Sequence, residues 1–212
     1  EYYGLEAVFT TALGVRVTRA DHVMSWGTPS WQTAPFPDTP GRLMRYGCVV
    51  LGNVPMATLT VSQRDWLRGY VRDGGSLLLL GGPYGFGNGE WQDSALLREV
   101  LPVALNSYRD LRFVGEKAPA ALEPSGPLAK GIGSTQRPVA LWQHLVTPKP
   151  EATVHVTAGG QPVLVTGTYG KGRVAVITAA PLGEAPAGAT AFWEWAEWPT
   201  LMTALGKWLL GQ

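Results

Sequence analysis

The clearest hydrophobic pattern in the chain is a pair of apolar runs on either side of an amphipathic segment. The first run, "CVVLGNV" at 48–54, is short and β-branched, and the second is "SLLLLGG" at 76–82. Between them, a segment that begins at Thr60 or Ser62 carries its apolar residues on one helical face and ends at two glycines (Trp66, Leu67, Tyr70, Val71; Gly74, Gly75). This order predicts a βαβ unit in a parallel sheet that is covered on both faces.

The rest of the chain shows weaker patterns of the same two kinds. Residues 5–13 have the spacing of a short helix that Gly14 closes, and "VRVTRA" at 15–20 alternates like a strand. Toward the C-terminus, "ATVHVTA", "PVLVTGTYG" and "GRVAVITAAP" predict three strands, and "YGKG" predicts an antiparallel hairpin between the last two. A final helix is predicted over 198–210, with a packing face formed by Leu201, Leu205, Trp208 and Leu209.

Composition limits the classes of function. The chain has 212 residues, 45% hydrophobic and 16% charged, with a net charge of +1. Lysine and arginine are scattered, so nucleic acid is not predicted as a partner, and no run is long enough for a membrane span or resembles a signal peptide. We expect one domain over 1–212, and the start at Glu1 suggests a fragment of a larger protein. Cys48 is the only cysteine, which excludes an intrachain disulfide.

The glycine-rich stretch "SLLLLGGPYGFGNG" (76–89) lies where an α/β enzyme turns from a strand into its active-site loop. Its G-F-G-N-G-E partly matches a dinucleotide fingerprint, but no helix follows directly, so no cofactor is predicted. A nucleophile elbow needs Ser, Cys or Asp at its apex. Here the apex is Pro83 or Tyr84. We therefore interpret Tyr84 as an aromatic residue that lines a pocket at the carboxyl ends of the strands.

Other candidate residues are weaker. Cys48 opens an apolar strand and is interpreted as a small buried hydrophobe. His22, His144 and His155 lack metal-ligand spacing, so no metal site is predicted, and His144 is expected at the surface or partly buried. An acid–base carboxylate pair could be drawn from Glu90, Glu184, Glu194 and Glu197. The tryptophans either seal the core, which we favour, or bind sugars or partners (Trp26, Trp31, Trp91, Trp193, Trp195, Trp198).

Two long segments resemble class I glutamine amidotransferase-like domains, in particular an uncharacterised bacterial branch. They are "VVLGNVPMATLTVSQRDWLRGYVRDGGSLLLLGGPYGFGNGEWQDSALLREVLPV" and, later, "LVTGTYGKGRVAVITAAPLG" followed by "FWEWAEWPTLMTALGKWL". The resemblance implies a Cys-His-Glu triad, with Cys on the elbow and a His-Pro-Glu after the last strand. Here the elbow has Pro83 or Tyr84, and "TAAPLGE" contains no histidine, so only Glu184 matches a triad role. A related trehalose-utilisation-type branch is associated with carbohydrates.

Together these features predict an α/β, three-layer, flavodoxin-like fold with a mainly parallel sheet and a C-terminal antiparallel extension. The first strand usual in such a domain is expected before Glu1 or missing. The predicted function is a non-catalytic module that binds a ligand or a partner, such as a carbohydrate or another domain of the same parent protein. We predict no catalytic residues and a ligand site at the strand ends, formed by Asn53, Gly82, Pro83, Tyr84, Gly85 and Trp91.

Two alternatives stay open at this point. One is a carbohydrate-active hydrolase or isomerase that uses Glu90, Glu184 or His144 as acid or base. The other is an interaction module of a larger exported or membrane-tethered protein, with tryptophans at its interface. The sequence assigns a bacterial origin by resemblance and no compartment.

Overall fold

A computed structural model describes residues 2–20, 22–23, 31–32, 36–114, 120–133, 136 and 138–212. Trp26 lies outside these residues, as do the side chains of His22 and Trp31. The helices are α1 (Leu5–Ala7), α2 (Pro40–Leu43), α3 (Val61–Arg72), α4 (Ala95–Val100) and α5 (Trp198–Leu210). The strands are β1 (His22–Val23), β2 (Trp31–Gln32), β3 (Cys48–Gly52), β4 (Ser76–Leu80), β5 (Val103–Leu105), β6 (Leu111–Phe113), β7 (Ala120–Pro124), β8 (Pro138–Ala140), β9 (Trp142–His144), β10 (Val146–Pro148), β11 (Thr153–Ala158), β12 (Gln161–Tyr169), β13 (Gly172–Ile177), β14 (Ala179–Ala180) and β15 (Thr190–Ala191).

The largest sheet is mixed. Its strand order is β15-β8-β7-β11-β12-β13-β4-β3. The pairs β3–β4, β4–β13 and β8–β15 are parallel, whereas β13–β12, β12–β11, β11–β7 and β7–β8 are antiparallel. The prediction of a mainly parallel sheet is therefore corrected to an α/β fold with a large mixed sheet. The cause is that few helical crossovers are present among the described residues, and strands joined by short turns can only pair antiparallel.

The predicted βαβ unit is confirmed as β3, α3 and β4. Thr60 caps α3 with a reciprocal hydrogen-bond pair, in which its side chain accepts from Gln63 N–H and Gln63 Oε1 accepts from Thr60 N–H. All five residues of β4 are buried, as expected for a central parallel strand. The parallel register aligns Cys48 with Ser76, so the carboxyl ends of β3 and β4 lie side by side.

The apolar core divides between the two faces of these strands. On one face, alternate residues of β4 and β13 pack with α5 (Leu78, Leu80, Ala175, Ile177, Leu201, Leu205, Leu209). On the other face, the intervening residues pack with α3 and α4 (Leu77, Leu79, Val174, Val176, Leu67, Val71, Leu97). The predicted final helix and its packing face are confirmed, although Trp208 is only half-buried.

Two N-terminal predictions are corrected in part. The helix predicted over 5–13 is the short α1, which continues as a wider π-helical turn over Val8–Ala12. The strand predicted over 15–20 forms no ladder with any described strand. A strand is stable only where a neighbour accepts its hydrogen bonds, and alternation of apolar residues alone does not supply one. Near the C-terminus, the "YGKG" hairpin joins β12 and β13 as predicted.

Within the described part of the chain, no helix is both long enough and apolar enough to cross a membrane.

Candidate functional site

The glycine-rich turn that follows β4 has an unusual backbone. Three nearby residues other than glycine have φ in the left-handed region, namely Asn53 (53°), Phe86 (46°) and Glu90 (63°). Such angles are uncommon outside glycine and cost free energy, so they persist where surrounding contacts enforce them. The conformation of the turn is therefore fixed by the contacts that surround it.

The start of the turn is pressed against the segment that follows β13. A Cβ atom at Gly81 would lie 2.9 Å from the Thr178 carbonyl oxygen and 3.2 Å from the His144 ring. Glycine is required here because backbone approaches from the opposite side. The Tyr3 hydroxyl also donates hydrogen bonds to the carbonyl oxygens of Gly81 and Ala179, which ties the N-terminal segment to both chain sections.

A buried histidine–carboxylate contact lies beneath the turn. His144 at the end of β9 is 0% exposed, and Asp110, just before β6, is 2% exposed. His144 Nδ1 lies 2.9 Å from Asp110 Oδ1. The Asp110 carboxylate also accepts the backbone N–H groups of Gly87 (3.1 Å) and Asn88 (3.0 Å). An ionised carboxylate only accepts hydrogen bonds, so His144 donates from Nδ1.

The other ring nitrogen of His144 faces the backbone of the turn. Nε2 lies 3.2 Å from Gly82 N and 3.0 Å from Gly82 O. A neutral imidazole accepts from the Gly82 N–H, whereas an imidazolium would donate to the Gly82 carbonyl oxygen. The Phe86 ring covers the imidazole with a centroid separation of 4.7 Å. Both nitrogens are thus engaged within the protein, and the Asp110–His144 pair holds the turn from below.

This geometry corrects the expectation that His144 lies at the surface or is partly buried. The apolar neighbours in "LWQHLV" are a sign of burial that a stricter sequence analysis could have used. Asp110, which contacts both His144 and the turn, is the residue of this site that the sequence analysis missed. A lone aspartate in "YRDLRF", 34 positions from its partner, has no spacing that distinguishes it from a surface residue.

Five of the six predicted ligand-site residues lie together at this turn. The Tyr84 N–H donates to Asn53 Oδ1 at 2.7 Å, which links the end of β3 to the turn. The Gly85 N–H donates to the Gly82 carbonyl oxygen at 3.0 Å, across Pro83. The side chain of Tyr84 is on the outside and 49% exposed. The cluster is real, and its binding role stays a prediction.

The sixth predicted residue, Trp91, lies in the core. It is 1% exposed and donates its indole N–H to the Val54 carbonyl oxygen at 2.7 Å. Its ring supports the segment that contains Asn53 and offers no open face to a ligand. Every tryptophan whose side chain the structure describes is likewise buried or half-buried, which favours the core interpretation (Trp66, Trp91, Trp142, Trp193, Trp195, Trp198, Trp208).

The four glutamates proposed for acid–base work lie at or near the surface of the protein. Glu90, Glu184 and Glu194 are exposed, and Glu197 is half-buried. Glu90 does lie near a second acid, Asp93, whose Oδ1 accepts the Tyr108 hydroxyl at 2.7 Å. The hydrogen bond to Asp93, with a smaller effect from Glu90, raises the pKa of Tyr108.

Cys48 lies at the opposite end of the sheet from the turn. It pairs with Ser76 at the amino ends of β3 and β4, whereas the turn follows their carboxyl ends. Desolvation raises the pKa of Cys48 to about 12, so the thiol is protonated at neutral pH and is a poor nucleophile. The described residues also contain no group of three or more His, Cys, Asp or Glu that could hold a metal ion.

His155 has a separate, structural environment on β11. Its Nδ1 accepts the Leu128 N–H at 3.2 Å, so Nε2 carries the proton and donates to Thr166 Oγ1 at 2.7 Å. Desolvation lowers the pKa of His155 from 6.5. This neutral form is the one that fits both partners.

We therefore expect the free energy of unfolding to fall in mildly acidic solution because of His155. Its folded-state pKa is below the unfolded value, so the unfolded chain binds the extra proton first. The contribution is complete above pH 6.5 and is lost as pH falls from there toward the folded-state pKa. Urea unfolding of wild type and His155→Gln between pH 8 and about pH 5 measures it. Equal pH slopes for the two proteins would contradict the assignment.

Comparison with known proteins identifies the family. The family model described as "Putative glutamine amidotransferase" matches residues 22–211, so the chain belongs to this class I glutamine amidotransferase-like family. A search of curated protein sequences finds no match.

Solved structures share the fold at low sequence identity. Cytoplasmic protein STM1381 from Salmonella typhimurium LT2 is 18% identical with a TM-score of 0.71, and the match covers 90% of this chain and 96% of that one. Cytoplasmic protein STM3548 from Salmonella typhimurium is 21% identical with a TM-score of 0.71 over 90% and 95%. The β-galactosidase from Rahnella sp. R3 is 16% identical with a TM-score of 0.52, over 76% of this chain and 22% of the enzyme.

Proposed function

We propose that this chain is a glutamine amidotransferase-like domain that does not hydrolyse glutamine and instead binds a ligand or partner at the turn after β4. The observation that carries the proposal is the Asp110–His144 pair. One ring nitrogen of His144 contacts Asp110 and the other contacts the turn backbone at Gly82, so neither is free to act on a substrate. The position that would present a nucleophile is occupied by Pro83 and Tyr84. The elbow thus keeps its shape without the group that would perform acyl transfer.

The remaining triad roles also lack suitable side chains. Cys48, the only cysteine, is at the far end of β3 with a protonated thiol. The segment after β13, "TAAPLGE", has no histidine, and Glu184 is exposed. His144 has no exposed ring atom with which to activate a nucleophile. Support for the absence of a triad therefore comes from three positions independently.

The proposed ligand site is the outer surface of the turn. Ligands of open α/β sheets bind outside the carboxyl ends of the strands. The carboxyl ends of β3 and β4 lie side by side next to this turn. Most backbone N–H groups of the turn already donate hydrogen bonds within the protein. The groups left to contact a ligand are the ring and hydroxyl of Tyr84 and the side-chain amide N–H groups of Asn53. For these amide N–H groups, no acceptor is found among the described residues. An aromatic face beside an amide donor suits a sugar ring or an apolar, carbonyl-bearing protein segment.

We further propose that the fold is the flavodoxin-like, three-layer type. Its support is the packing of α5 on one face of β4 and β13 and of α3 and α4 on the other. The antiparallel strands β7, β11 and β12 then form an extension of this core sheet. In the Rahnella enzyme the matching region is 22% of a β-galactosidase, which is consistent with a domain of this fold serving inside a larger protein.

The alternative is a carbohydrate-active hydrolase or isomerase. It is favoured by the proximity of Glu90, Asp93 and the Tyr108 hydroxyl, which places two carboxylates and a phenol in one exposed cluster. The burial of His144 counts against the version in which this imidazole contacts the substrate. Release of product from a β-galactoside, abolished by Glu90→Gln, would favour this alternative over a binding module.

Two measurements on the full chain test the proposal. We expect no release of ammonia from glutamine above the blank. Saccharides and partner-domain peptides are screened by following the amide chemical shifts of the chain. We expect a ligand to change the shifts of Asn53, Gly82, Tyr84 and Gly85, and we expect Tyr84→Ala to remove these changes. Tyr46→Ala is the matched control, since Tyr46 is exposed near the amino end of β3. Glutamine turnover that Tyr84→Phe abolishes would overturn the proposal.

A further inference from the structure

The peptide unit between Gly81 and Gly82, at the start of the turn, is held from both sides. Its carbonyl oxygen, which belongs to Gly81, accepts a hydrogen bond from the Tyr3 hydroxyl at 3.2 Å. Its N–H, which belongs to Gly82, lies 3.2 Å from Nε2 of His144. Because a trans peptide is planar and its C=O and N–H point in opposite directions, Tyr3 and His144 contact opposite edges of one rigid unit. The position of this unit determines where the chain enters the turn.

Tyr3 reaches this peptide from a part of the chain that is distant in sequence. Its side chain is 2% exposed, and its hydroxyl also donates to the carbonyl oxygen of Ala179, after β13. The indole N–H of Trp198 in α5 donates to the Tyr3 carbonyl oxygen at 3.0 Å. The centroid of the Tyr3 ring lies 6.3 Å from that of Trp198 and 5.9 Å from that of Phe192. Tyr3 is thus attached to α5 and reaches from there to the turn.

Residues 3–13 continue along α5, and we call them the strap. Three of its side chains are buried in the same core as the packing face of α5 (Leu5, Val8, Phe9). At the far end of the strap, Leu13 packs on Gly206 of α5. A Cβ atom at Gly206 would lie 2.5 Å from Leu13 Cδ1 and 3.6 Å from the Phe9 ring. The strap therefore follows α5 from Trp198 to Gly206.

The docked strap has a backbone conformation that is costly by itself. Tyr3 has a φ of 64°, in the left-handed region that is uncommon outside glycine, and Gly4 follows at 66°. The helix that begins at Leu5 widens to a π-helical turn over Val8–Ala12, a rare form that is frequent at functional sites. Strain of this kind persists where surrounding contacts enforce it, so release of the strap from α5 would relieve it. The strain therefore opposes the contacts that dock the strap.

We propose that Tyr3 is a positioning residue of the ligand site and that the strap is a conformational device that controls this site. With the strap docked, the peptide unit of Gly81 and Gly82 is fixed, and the turn keeps the conformation that places Tyr84 beside Asn53. With the strap released, the Gly81 carbonyl oxygen loses the Tyr3 hydroxyl and the turn loosens. Coupling between two sites is mutual, so a ligand at the turn and a docked strap stabilise each other. This inference rests on the proposed function for the role of the turn as a ligand site.

Amide hydrogen exchange on the full chain, with no ligand added, tests the coupling. Tyr3→Phe keeps the ring and removes the hydroxyl, so the amides of Gly82 and Gly85 should exchange about fivefold faster, which is the effect of one lost hydrogen bond. Amides of α3 serve as the internal reference and should be unaffected. Tyr70→Phe is the matched control, because the Tyr70 hydroxyl accepts the Ser76 N–H at the opposite, amino end of β4. It should leave exchange at the turn unchanged.

A second variant displaces the strap without touching Tyr3 or the turn. Gly206→Ala adds a methyl group where Leu13 packs, at the far end of the strap. If the strap transmits this displacement, the amides of Gly82 and Gly85 should again exchange faster, by at least about twofold. The control is Gly69→Ala in α3, where a Cβ atom meets nothing within 4 Å and exchange at the turn should not change.

The outcomes distinguish this proposal from the proposed function. Wild-type exchange of Gly82 and Gly85 in Tyr3→Phe would overturn it. So would equal acceleration of the turn and of α3, since that is the result of general destabilisation. An effect of Tyr3→Phe with none of Gly206→Ala would show that the hydroxyl acts without the strap, which also overturns the proposal. The expected exchange pattern together with a failed ligand screen would support the coupling and overturn only the proposed function.

Discussion

Replacing Asp110 with alanine is expected to lower the melting temperature by about 10 °C. The change removes the acceptor of three hydrogen bonds, from Gly87 N–H, Asn88 N–H and His144 Nδ1. Breaking a buried charged contact by deleting one partner costs about 3–5 kcal/mol, and each kcal/mol is worth about 2–4 °C in a protein of this size. Differential scanning calorimetry at pH 7.5 measures the shift.

The matched control for this variant is Asp38→Ala. Asp38 forms an exposed ion pair with Arg42 at 3.0 Å, and such pairs contribute little to stability. We expect no measurable change in melting temperature for this control and an intermediate loss for Asp110→Asn, which keeps one oxygen acceptor. A melting temperature for Asp110→Ala within about 2 °C of wild type would contradict the assigned role of the Asp110–His144 pair.

Where the sequence analysis succeeded, the signal was local. The strand-helix-strand unit at 48–80 was predicted because capping, amphipathic spacing and apolar runs all lie within a few residues of each other. Thr60, Gln63 and the glycines that end α3 determine that helix without reference to the rest of the fold. The hairpin at Tyr169–Gly172 was predicted for the same reason.

The predictions that needed correction depend on distant partners. The Asp110–His144 pair joins residues 34 positions apart, and neither lies in a motif with fixed spacing. The segment 15–20 has the alternation of a strand, but whether it pairs depends on what lies beside it. The direction of the strands beyond β13 likewise follows from the short connections between them. The sequence analysis predicted these antiparallel strands as an extension of the sheet, whereas they form half of the largest sheet.

The same dependence on distant backbone makes Gly87 a sensitive position. A Cβ atom there would lie 1.8 Å from the Ser107 carbonyl oxygen and 2.8 Å from Asp110 Cγ and Oδ1. The nearest obstacle is backbone, which cannot move away as a flexible side chain can. Gly87→Ala must therefore displace either the 3₁₀ turn Phe86–Gly89 or the segment that leads to Asp110.

We expect Gly87→Ala to destabilise the protein by about 3 kcal/mol, at the upper end of the cost of overpacking. Displacement of the turn should also lengthen the hydrogen bond from Gly87 N–H to Asp110, so protection of this amide against exchange should fall with the melting temperature. Tryptophan fluorescence should change as well, because Trp91 and Phe86 share one core.

The control is Gly69→Ala in α3, where a Cβ atom would meet nothing within 4 Å. Alanine favours a helix interior over glycine by about 1 kcal/mol, so this variant should be as stable as wild type or more stable. The two substitutions are chemically identical and differ only in the space available. If Gly87→Ala melted like Gly69→Ala, the turn would be free to move. The Asp110–His144 pair would then not be what holds it in the shape of an elbow.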